Sequence, residues 1–199
     1  MSYAIIGFGK IGQALAKAFA RKGIEVSVAT TRDPESFAAD AVAIGPSIIP
    51  KKLAEAIRAD TIFLAVRFES HPDVAKALPS WEGKTIIDVT NLFPVPEELN
   101  SLPSSAVVAK AFTGAKLVKG FNHLIAATLA ADPIVEGGHR VVFLSSDDED
   151  ATAPVAALAR QLGFAPVELG KLNEGGALVH ARGRTWGPLI FQDLFKKEP

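Results

Sequence analysis

The first residues with types and spacing suited to chemistry lie near the N-terminus, in the run Gly7-Phe8-Gly9-Lys10-Ile11-Gly12. This G-x-G-x-x-G pattern directly follows an apolar run and opens an amphipathic segment, which is the context that the pattern requires. Gly7 then permits a tight turn, Gly9 lets the backbone approach a pyrophosphate, and Gly12 lets a helix close on a strand. Because the start of a helix attracts an anion, all six residues are predicted to bind a dinucleotide.

Residues about twenty positions further on predict which dinucleotide binds. Where an NAD site places a carboxylate for the ribose 2′-hydroxyl, this chain has Thr30-Thr31-Arg32. A guanidinium offers two parallel N–H donors to a phosphate, and hydroxyls donate to the same group. The sequence therefore predicts that Thr30, Thr31 and Arg32 bind the 2′-phosphate of NADP(H). The alternative is that Arg32 is a solvated side chain, paired with the neighbouring Asp33.

Residues that follow other predicted strands extend this site, because open α/β sheets bind ligands beyond the carboxyl ends of their strands. Asn91 could bond a carboxamide or a ribose, and Phe68 could form a wall. Each residue alone is equally plausible as loop packing or capping, but their shared position favours a site. The predicted cofactor contacts here are Ala65, Val66, Arg67 and Asn91, and the predicted substrate contacts are Phe68, Asn122 and His123.

His123 is the candidate for a catalytic role. It follows a predicted strand end near the expected position of an acceptor ring, so its imidazole could donate to a ring carbonyl or pass a proton to a ring nitrogen. The alternative is a histidine that caps or packs at the start of a helix. No metal site is predicted, because cysteine is absent and the four histidines lack a ligand spacing such as i, i+4.

Apolar runs that alternate with helical patterns predict the elements that position these residues. In the clearest helix, Ile11, Ala14, Leu15 and Ala18 recur at helical spacing, and Gly23 would end it. Runs that are apolar on nearly every residue are typical of parallel strands covered on both faces. The predicted strands are Tyr3–Ile6, Ile24–Ala29, Thr61–Val66, Thr85–Val89, Leu117–Phe121, Arg140–Leu144 and Ala165–Leu169.

These elements predict an α/β fold, a Rossmann-type doubly wound and mostly parallel sheet with a short C-terminal helical segment. Residues 1–170 would form the NADP-binding domain. Residues 171–199 carry no strand-like run and are predicted to complete the acceptor site or a dimer interface. The segment Asn91–Ser105 is predicted to be a long loop on the same side as the site.

A second helix is predicted to begin at Ser146, with Glu149 three residues on as in a capping box, and to end at Gly163. The carboxylates of Asp147–Asp150 could instead form a metal site. In a first helical turn, however, carboxylates offset the helix dipole, and this interpretation is preferred.

The composition excludes several classes of function. Of 199 residues, 48% are hydrophobic, and 21 Lys and Arg against 22 Asp and Glu give a net charge of -1. This balance shows no footprint for nucleic acid or an anionic membrane surface. The N-terminus lacks the basic region of a signal peptide, and no apolar run approaches the ~20 residues of a membrane span. We therefore expect a cytoplasmic protein with neither nucleic acid nor membrane as a partner.

With these motifs placed, the chain resembles the NADPH-dependent reductases of the deazaflavin coenzyme F420. It also resembles the oxidoreductase domain of the STEAP metalloreductases, which share that module. The resemblance implies NADP(H) as nucleotide, hydride transfer to or from a flavin-like acceptor (F420, FMN or FAD), and a homodimer. The stretches that carry it are Gly7–Leu15, Thr31-Arg32, Asp88–Asn91, Val118–Asn122, Asp147-Asp148 and Gly163–Gly170.

The chain departs from the family pattern in segments that bear on the acceptor. Arg67 stands where the family often has Pro, and Lys171–Gly176 replaces a segment that helps to form the acceptor pocket. Two alternatives stay open: a reductase of a small carbonyl or imine, and a regulator that senses NADP(H) without turnover. A basic cluster near the C-terminus would bind an anionic acceptor tail or a partner subunit, or form a solvated face; its members are His180, Arg182 and Arg184.

Overall fold

The computed structural model describes residues 1–92, 99 and 103–180. In chain order, the strands of these residues are β1 (Tyr3–Ile6), β2 (Val26–Ala29), β3 (Ile48–Pro50), β4 (Thr61–Leu64), β5 (Thr85–Asp88), β6 (Lys116–Gly120), β7 (Ile134–Val135), β8 (Gly138–His139), β9 (Val141–Ser145) and β10 (Ala165–Glu168). The helices are α1 (Lys10–Arg21), α2 (Ala38–Ile44), α3 (Leu53–Ala56), α4 (His71–Ala75), α5 (Ser104–Ala111), α6 (Ala126–Ala130), α7 (Thr152–Gln161) and α8 (Gly175–Leu178). Short 3-10 turns span Pro34–Ser36 and Phe68–Ser70.

One eight-stranded sheet forms the centre of the fold, with the strand order β10-β9-β6-β5-β4-β1-β2-β3. Strands β1 to β6 run parallel, β9 is antiparallel to β6, and β10 is parallel to β9. The strand order changes direction between β1 and β4, so the crevice that binds ligands in such sheets opens at the carboxyl ends of these two strands. The predicted Rossmann-type, mostly parallel sheet is confirmed.

Helices cover both faces of the sheet and bury two apolar clusters. On one face, α1, α6 and α7 pack over β1, β4 and β6, and Phe63 lies edge-on to Phe19 and Phe121 with ring centroids 5.7 and 5.5 Å apart. On the other face, α3, α4 and α5 bury Trp81 and Phe112. Each fully buried aromatic side chain contributes about 2–3 kcal/mol, so these clusters hold the strand ends in a fixed register.

The predicted strands are all present, and their ends differ from the predicted ends by at most two residues. The sequence did not predict β3, β7 and β8. Strand β3 is a three-residue edge strand that ends in Pro50, a residue confined to sheet edges, and β7 and β8 form a two-residue hairpin with an exposed apolar side. Such short runs carry too few residues for a period to be recognised.

The predicted helix start at Ser146 is wrong, because α7 begins at Thr152. The Ser146 hydroxyl donates to the Leu117 carbonyl at 2.6 Å and accepts from the Asp148 N–H at 3.0 Å. Asp147 accepts from the Leu172 N–H at 3.0 Å. These residues tie the end of β9 to β6 and to the segment after β10, so tertiary hydrogen bonds replace the predicted capping box.

The C-terminal segment is described as far as His180. Helix α8 packs against β9, and Val179 is buried beside Val141 and Phe143. The predictions for Arg182 and Arg184 lie outside the described residues, as does most of the predicted loop from Asn91 to Ser105, although Ser104 already belongs to α5. No helix among the described residues has the length and apolar character needed to cross a bilayer.

Candidate functional site

Two glycines of the turn between β1 and α1 are required by the protein itself. Gly7 has a φ of +102°, its N–H donates to the Ala29 carbonyl at 2.8 Å, and a Cβ on it would lie 2.3 Å from the Ala65 carbonyl oxygen. A Cβ on Gly12 would lie 1.9 Å from the Gly7 carbonyl oxygen. Any side chain at either position would force the turn away from the sheet, so these residues set its shape.

Gly9 differs, because a Cβ on it would meet no atom within 4 Å. It is the N-cap of α1, and the first bond of the helix runs from the Gln13 N–H to the Gly9 carbonyl at 2.9 Å. No side chain caps this helix and no acidic residue lies in its first turn. The open space therefore faces unsatisfied N–H groups and a positive dipole end, which fits a diphosphate.

The other residues of the motif have distinct surroundings. The Phe8 ring is 5% exposed and lies 5.6 Å from the Phe37 ring, so only its backbone faces the turn. Lys10 is exposed, whereas Ile11 is half-buried and packs on the core. The contacts of these three residues with a dinucleotide stay a prediction.

The segment after β2 lies beside this turn, because β2 is the neighbour of β1 in the sheet. The Thr30 hydroxyl accepts from the Arg32 backbone N–H at 3.0 Å and thereby shapes a tight turn. Thr31 and Arg32 are exposed, and among the described residues the Arg32 guanidinium makes no ion pair, not even with Asp33. The cation stays available for an anionic group.

Residues after β4 border the same crevice. The Ala65 N–H donates to the Ile6 carbonyl at 2.8 Å, which places Ala65 beside the glycine turn. Val66 is half-buried and Arg67 is exposed. The half-buried Phe68 ring lies 4.8 Å from the His71 ring, so the predicted aromatic wall is held by α4.

The structure brings Asn91 and Asn122 together although they are 31 residues apart. The Asn91 amide donates to the Asn122 carbonyl at 2.8 Å, and the Asn122 amide donates to Asn91 Oδ1 at 3.1 Å. Asn122 also donates to the Val179 carbonyl at 3.0 Å. This clamp joins the segments after β5 and β6 to the C-terminal segment.

Beneath the clamp lies a buried ion pair that sequence reasoning missed. Lys119 Nζ lies 3.1 Å from Asp88 Oδ2, and the side chains are 2% and 0% exposed. Burial lowers the pKa of Lys119, and the charge and hydrogen bond of Asp88 oppose that shift. The sequence did contain a signal, because Asp88 and Lys119 each stand in an otherwise apolar strand. The alternation of polar and apolar residues does not show, however, that these two strands are neighbours.

His123 is only 1% exposed, and its ring centroid lies 4.8 Å from that of Phe143 in β9. The segment that ends at Val179 packs over the same part of β9. The described neighbours of His123 thus bury its ring beside β9. A catalytic role for His123 stays a prediction.

The candidate site thus has two parts, both at the carboxyl edge of the sheet. We call the first the phosphate region, formed by Gly7–Gly12 and Thr30–Arg32. We call the second the strand-end network, formed by Asp88, Thr90, Asn91, Lys119 and Asn122. The fold and the open glycine turn place the chain in the class of Rossmann-type α/β proteins.

Comparison with known proteins narrows this class. The sequence model of the family described as "NADP oxidoreductase coenzyme F420-dependent" matches residues 2–92. The metalloreductase STEAP3 of Rattus norvegicus is 31% identical over 172 residues, which are 84% of this chain and 33% of STEAP3. The chain therefore spans about a third of the length of the curated relatives that it matches.

Solved structures share the fold of this chain. A hypothetical protein of Sinorhizobium meliloti is 40% identical, with a TM-score of 0.86 over 92% of this chain and 91% of that chain. An imine reductase of Aspergillus terreus, solved in complex with NADPH4, is 22% identical, with a TM-score of 0.68 over 96% of this chain and 61% of that chain, and shares the fold. Residues 2–92 of the chain thus match the family of F420-dependent NADP oxidoreductases, which confirms the resemblance predicted from its motifs.

Proposed function

We propose that this chain is an NADPH-dependent oxidoreductase that transfers hydride between NADP(H) and a flavin-like or deazaflavin acceptor such as F420, FMN or FAD. The observation that carries the proposal is the open space over Gly9 at the uncapped start of α1, with the available Arg32 guanidinium after the neighbouring strand. The family match over residues 2–92 supports NADP(H) as the nucleotide.

In this proposal the phosphate region holds the adenosine half of the dinucleotide. The N–H groups of the first turn of α1 bind the diphosphate, and Arg32 with Thr31 binds the 2′-phosphate. Thr30 acts indirectly, since its hydroxyl already accepts from the Arg32 N–H. The dinucleotide then extends over Ala65 and Val66 towards the ends of β5 and β6.

NADP(H), when bound, supplies the hydride, so the task of the chain is to bind, orient and exclude water. A strong acid or base is not required for transfer between two stacked rings. Phe68, held against His71, offers an apolar wall, and the Asn91–Asn122 clamp fixes the neighbouring loops. His123 as a proton donor to the acceptor is the finer part of the proposal.

A scan of acceptors tests the function. NADPH oxidation would be followed at saturating nucleotide with F420, FMN, FAD, a quinone and a small cyclic imine, with Gly9→Val as the binding-deficient control. Turnover with F420 or a flavin that is absent in the control supports the proposal. Turnover with the imine alone would replace it by imine reduction. NADPH binding without turnover on any acceptor would replace it by NADP(H) sensing.

Three further features belong to the same proposal. A homodimer, a cytoplasmic location and the division into residues 1–170 and 171–199 are consistent with the family resemblance. Removal of residues 181–199 tests the homodimer and the role of the C-terminal segment together: a loss of dimer on size-exclusion chromatography would assign the segment to the interface. A loss of turnover with unchanged NADPH affinity would assign it to the acceptor site.

A further inference from the structure

The buried ion pair holds one residue by its backbone. Asp88 Oδ1 accepts from the Thr90 N–H at 2.9 Å, and Lys119 Nζ donates to the Thr90 carbonyl as well as to Asp88. The Thr90 hydroxyl, by contrast, has no hydrogen-bond partner among the described residues. What the pair fixes is therefore the path of the chain after β5 and not the Thr90 side chain.

From Thr90 the hydrogen bonds continue through the next residue. Asn91 is locked to Asn122 by two bonds, and Asn122 reaches the Val179 carbonyl at 3.0 Å. Lys119 is the penultimate residue of β6, three residues before Asn122. Through these hydrogen bonds and the peptide bond between Thr90 and Asn91, the strand-end network joins the ends of β5 and β6 to the C-terminal segment.

Stability alone does not account for such a pair. Removing two charges from water offsets most of their attraction, and apolar residues of similar size commonly replace a buried ion pair without loss of stability. Asp88, Lys119 and Ser145 lie side by side on adjacent strands, in a sheet face that is otherwise mostly apolar. A buried pair that grips both main-chain groups of one loop residue supplies fixed geometry, which apolar side chains do not.

The position of the Asp88–Lys119 pair in the sheet indicates which part of the dinucleotide it serves. In a Rossmann-type sheet the adenosine half of the dinucleotide lies over β1 and β2, and the nicotinamide half lies over the strands beyond the switch point, here β4, β5 and β6. We infer that Asp88 and Lys119 are positioning residues for the nicotinamide half: they hold Thr90 and, through it, the Asn91–Asn122 clamp against which that half packs. The inference rests on the proposed function.

A pair of ligands separates this role from a merely structural one. NADPH contains both halves of the dinucleotide, whereas adenosine 2′,5′-bisphosphate contains only the half that the phosphate region holds. The dissociation constants of both compounds would be measured by calorimetry for the wild type, for Asp88→Leu/Lys119→Met, and for Asp88→Asn, which preserves the shape of the side chain. All measurements would be made well below the melting temperature of each variant.

The double variant should weaken NADPH about tenfold and leave the bisphosphate within about twofold of the wild type. Asp88→Asn should raise the ratio of the NADPH dissociation constant to the bisphosphate dissociation constant as well, but by less, since its Oδ1 still accepts from the Thr90 N–H. Ser145→Ala is the matched control, because it removes a buried hydroxyl opposite Lys119 in the ladder, and it should leave both constants unchanged.

An unchanged ratio in both variants, whatever their melting temperatures, would overturn the inference and leave the proposed function standing. An equal weakening of both ligands would also overturn it, because the effect would then be general. A wild-type chain that binds neither compound would overturn the proposed function itself. These three results are distinguishable in one set of titrations.

Discussion

The phosphate region and the strand-end network lie at the same edge of one sheet but are formed by different kinds of chemical group. The phosphate region offers mainly backbone groups, at an open turn over Gly9 and a helix start without a side-chain cap, together with the exposed cations of Lys10 and Arg32. The strand-end network consists of buried and half-buried side chains from segments 31 residues apart, with a salt bridge at its centre. The first region leaves its polar groups available, and the second satisfies most of its own.

This difference indicates that the phosphate region binds a ligand group and that the strand-end network positions the surface around it. Available N–H groups and an available cation suit a ligand group that carries charge, since they gain their partners only when it binds. A network that is already satisfied gains little from a ligand and serves better to hold a surface still. Changes in the two regions should therefore alter different measurements, and the following predictions test that separation from the largest effect to the smallest.

Lys119→Met should give the largest loss. The variant leaves Asp88 buried without its cation, and breaking a buried pair in this way costs about 3–5 kcal/mol of unfolding free energy. Urea unfolding followed by circular dichroism would measure it. Lys116→Met is the control on the same strand, because Lys116 is exposed and should change stability by less than about 0.5 kcal/mol. Equal losses in the two variants would show that the pair is not special.

Substitutions at Gly12 and Gly9 should separate an effect on folding from an effect on nucleotide binding. Gly12→Ala places a Cβ 1.9 Å from the Gly7 carbonyl oxygen and should cost about 3 kcal/mol of stability. Gly9→Val meets no protein atom within 4 Å of its Cβ, so it should keep the melting temperature and weaken NADPH about 100-fold, or about 2.7 kcal/mol.

Calorimetry and thermal melts of both glycine variants provide the check. If Gly9→Val retained the wild-type affinity for NADPH, no diphosphate would bind over the start of α1. The phosphate region would then not be a phosphate-binding site.

The same contrast explains what could be predicted from the sequence. The turn from Gly7 to Gly12 and the segment Thr30–Arg32 follow single strands, so local spacing placed them correctly beside each other. The pairing of Asp88 with Lys119 depends on which strands are neighbours and on their register, which periodicity does not contain. The helix predicted at Ser146 failed for the same reason, because the partners of Ser146 and Asp147 are Leu117 and Leu172.

His123→Ala tests whether the strand-end network extends into catalysis. As the proposed donor to the acceptor, the imidazole should account for a ten- to hundredfold fall in single-turnover hydride transfer when it is removed, with the NADPH dissociation constant unchanged, about the effect of a lost oxyanion donor. His139→Ala is the control: His139 is exposed, its Nδ1 lies 2.8 Å from the Gly163 carbonyl oxygen, and its removal should leave the transfer rate unchanged. A loss of about 2 kcal/mol in unfolding free energy with unchanged turnover per folded molecule would instead show that the ring, buried against Phe143, only packs.

Arg32→Ala should give the smallest effect and the most selective one. The wild type should bind NADPH at least about tenfold more tightly than NADH, a difference of about 1.4 kcal/mol, because the guanidinium can bond the 2′-phosphate twice. The variant should lose most of that preference by weakening NADPH alone, and its stability should not change, since Arg32 is exposed and makes no ion pair among the described residues. Arg58→Ala, an exposed arginine at the opposite edge of the sheet, should leave the preference intact. Fluorescence titration with both nucleotides would measure the preference, and equal wild-type affinities for NADPH and NADH would remove the 2′-phosphate from the phosphate region.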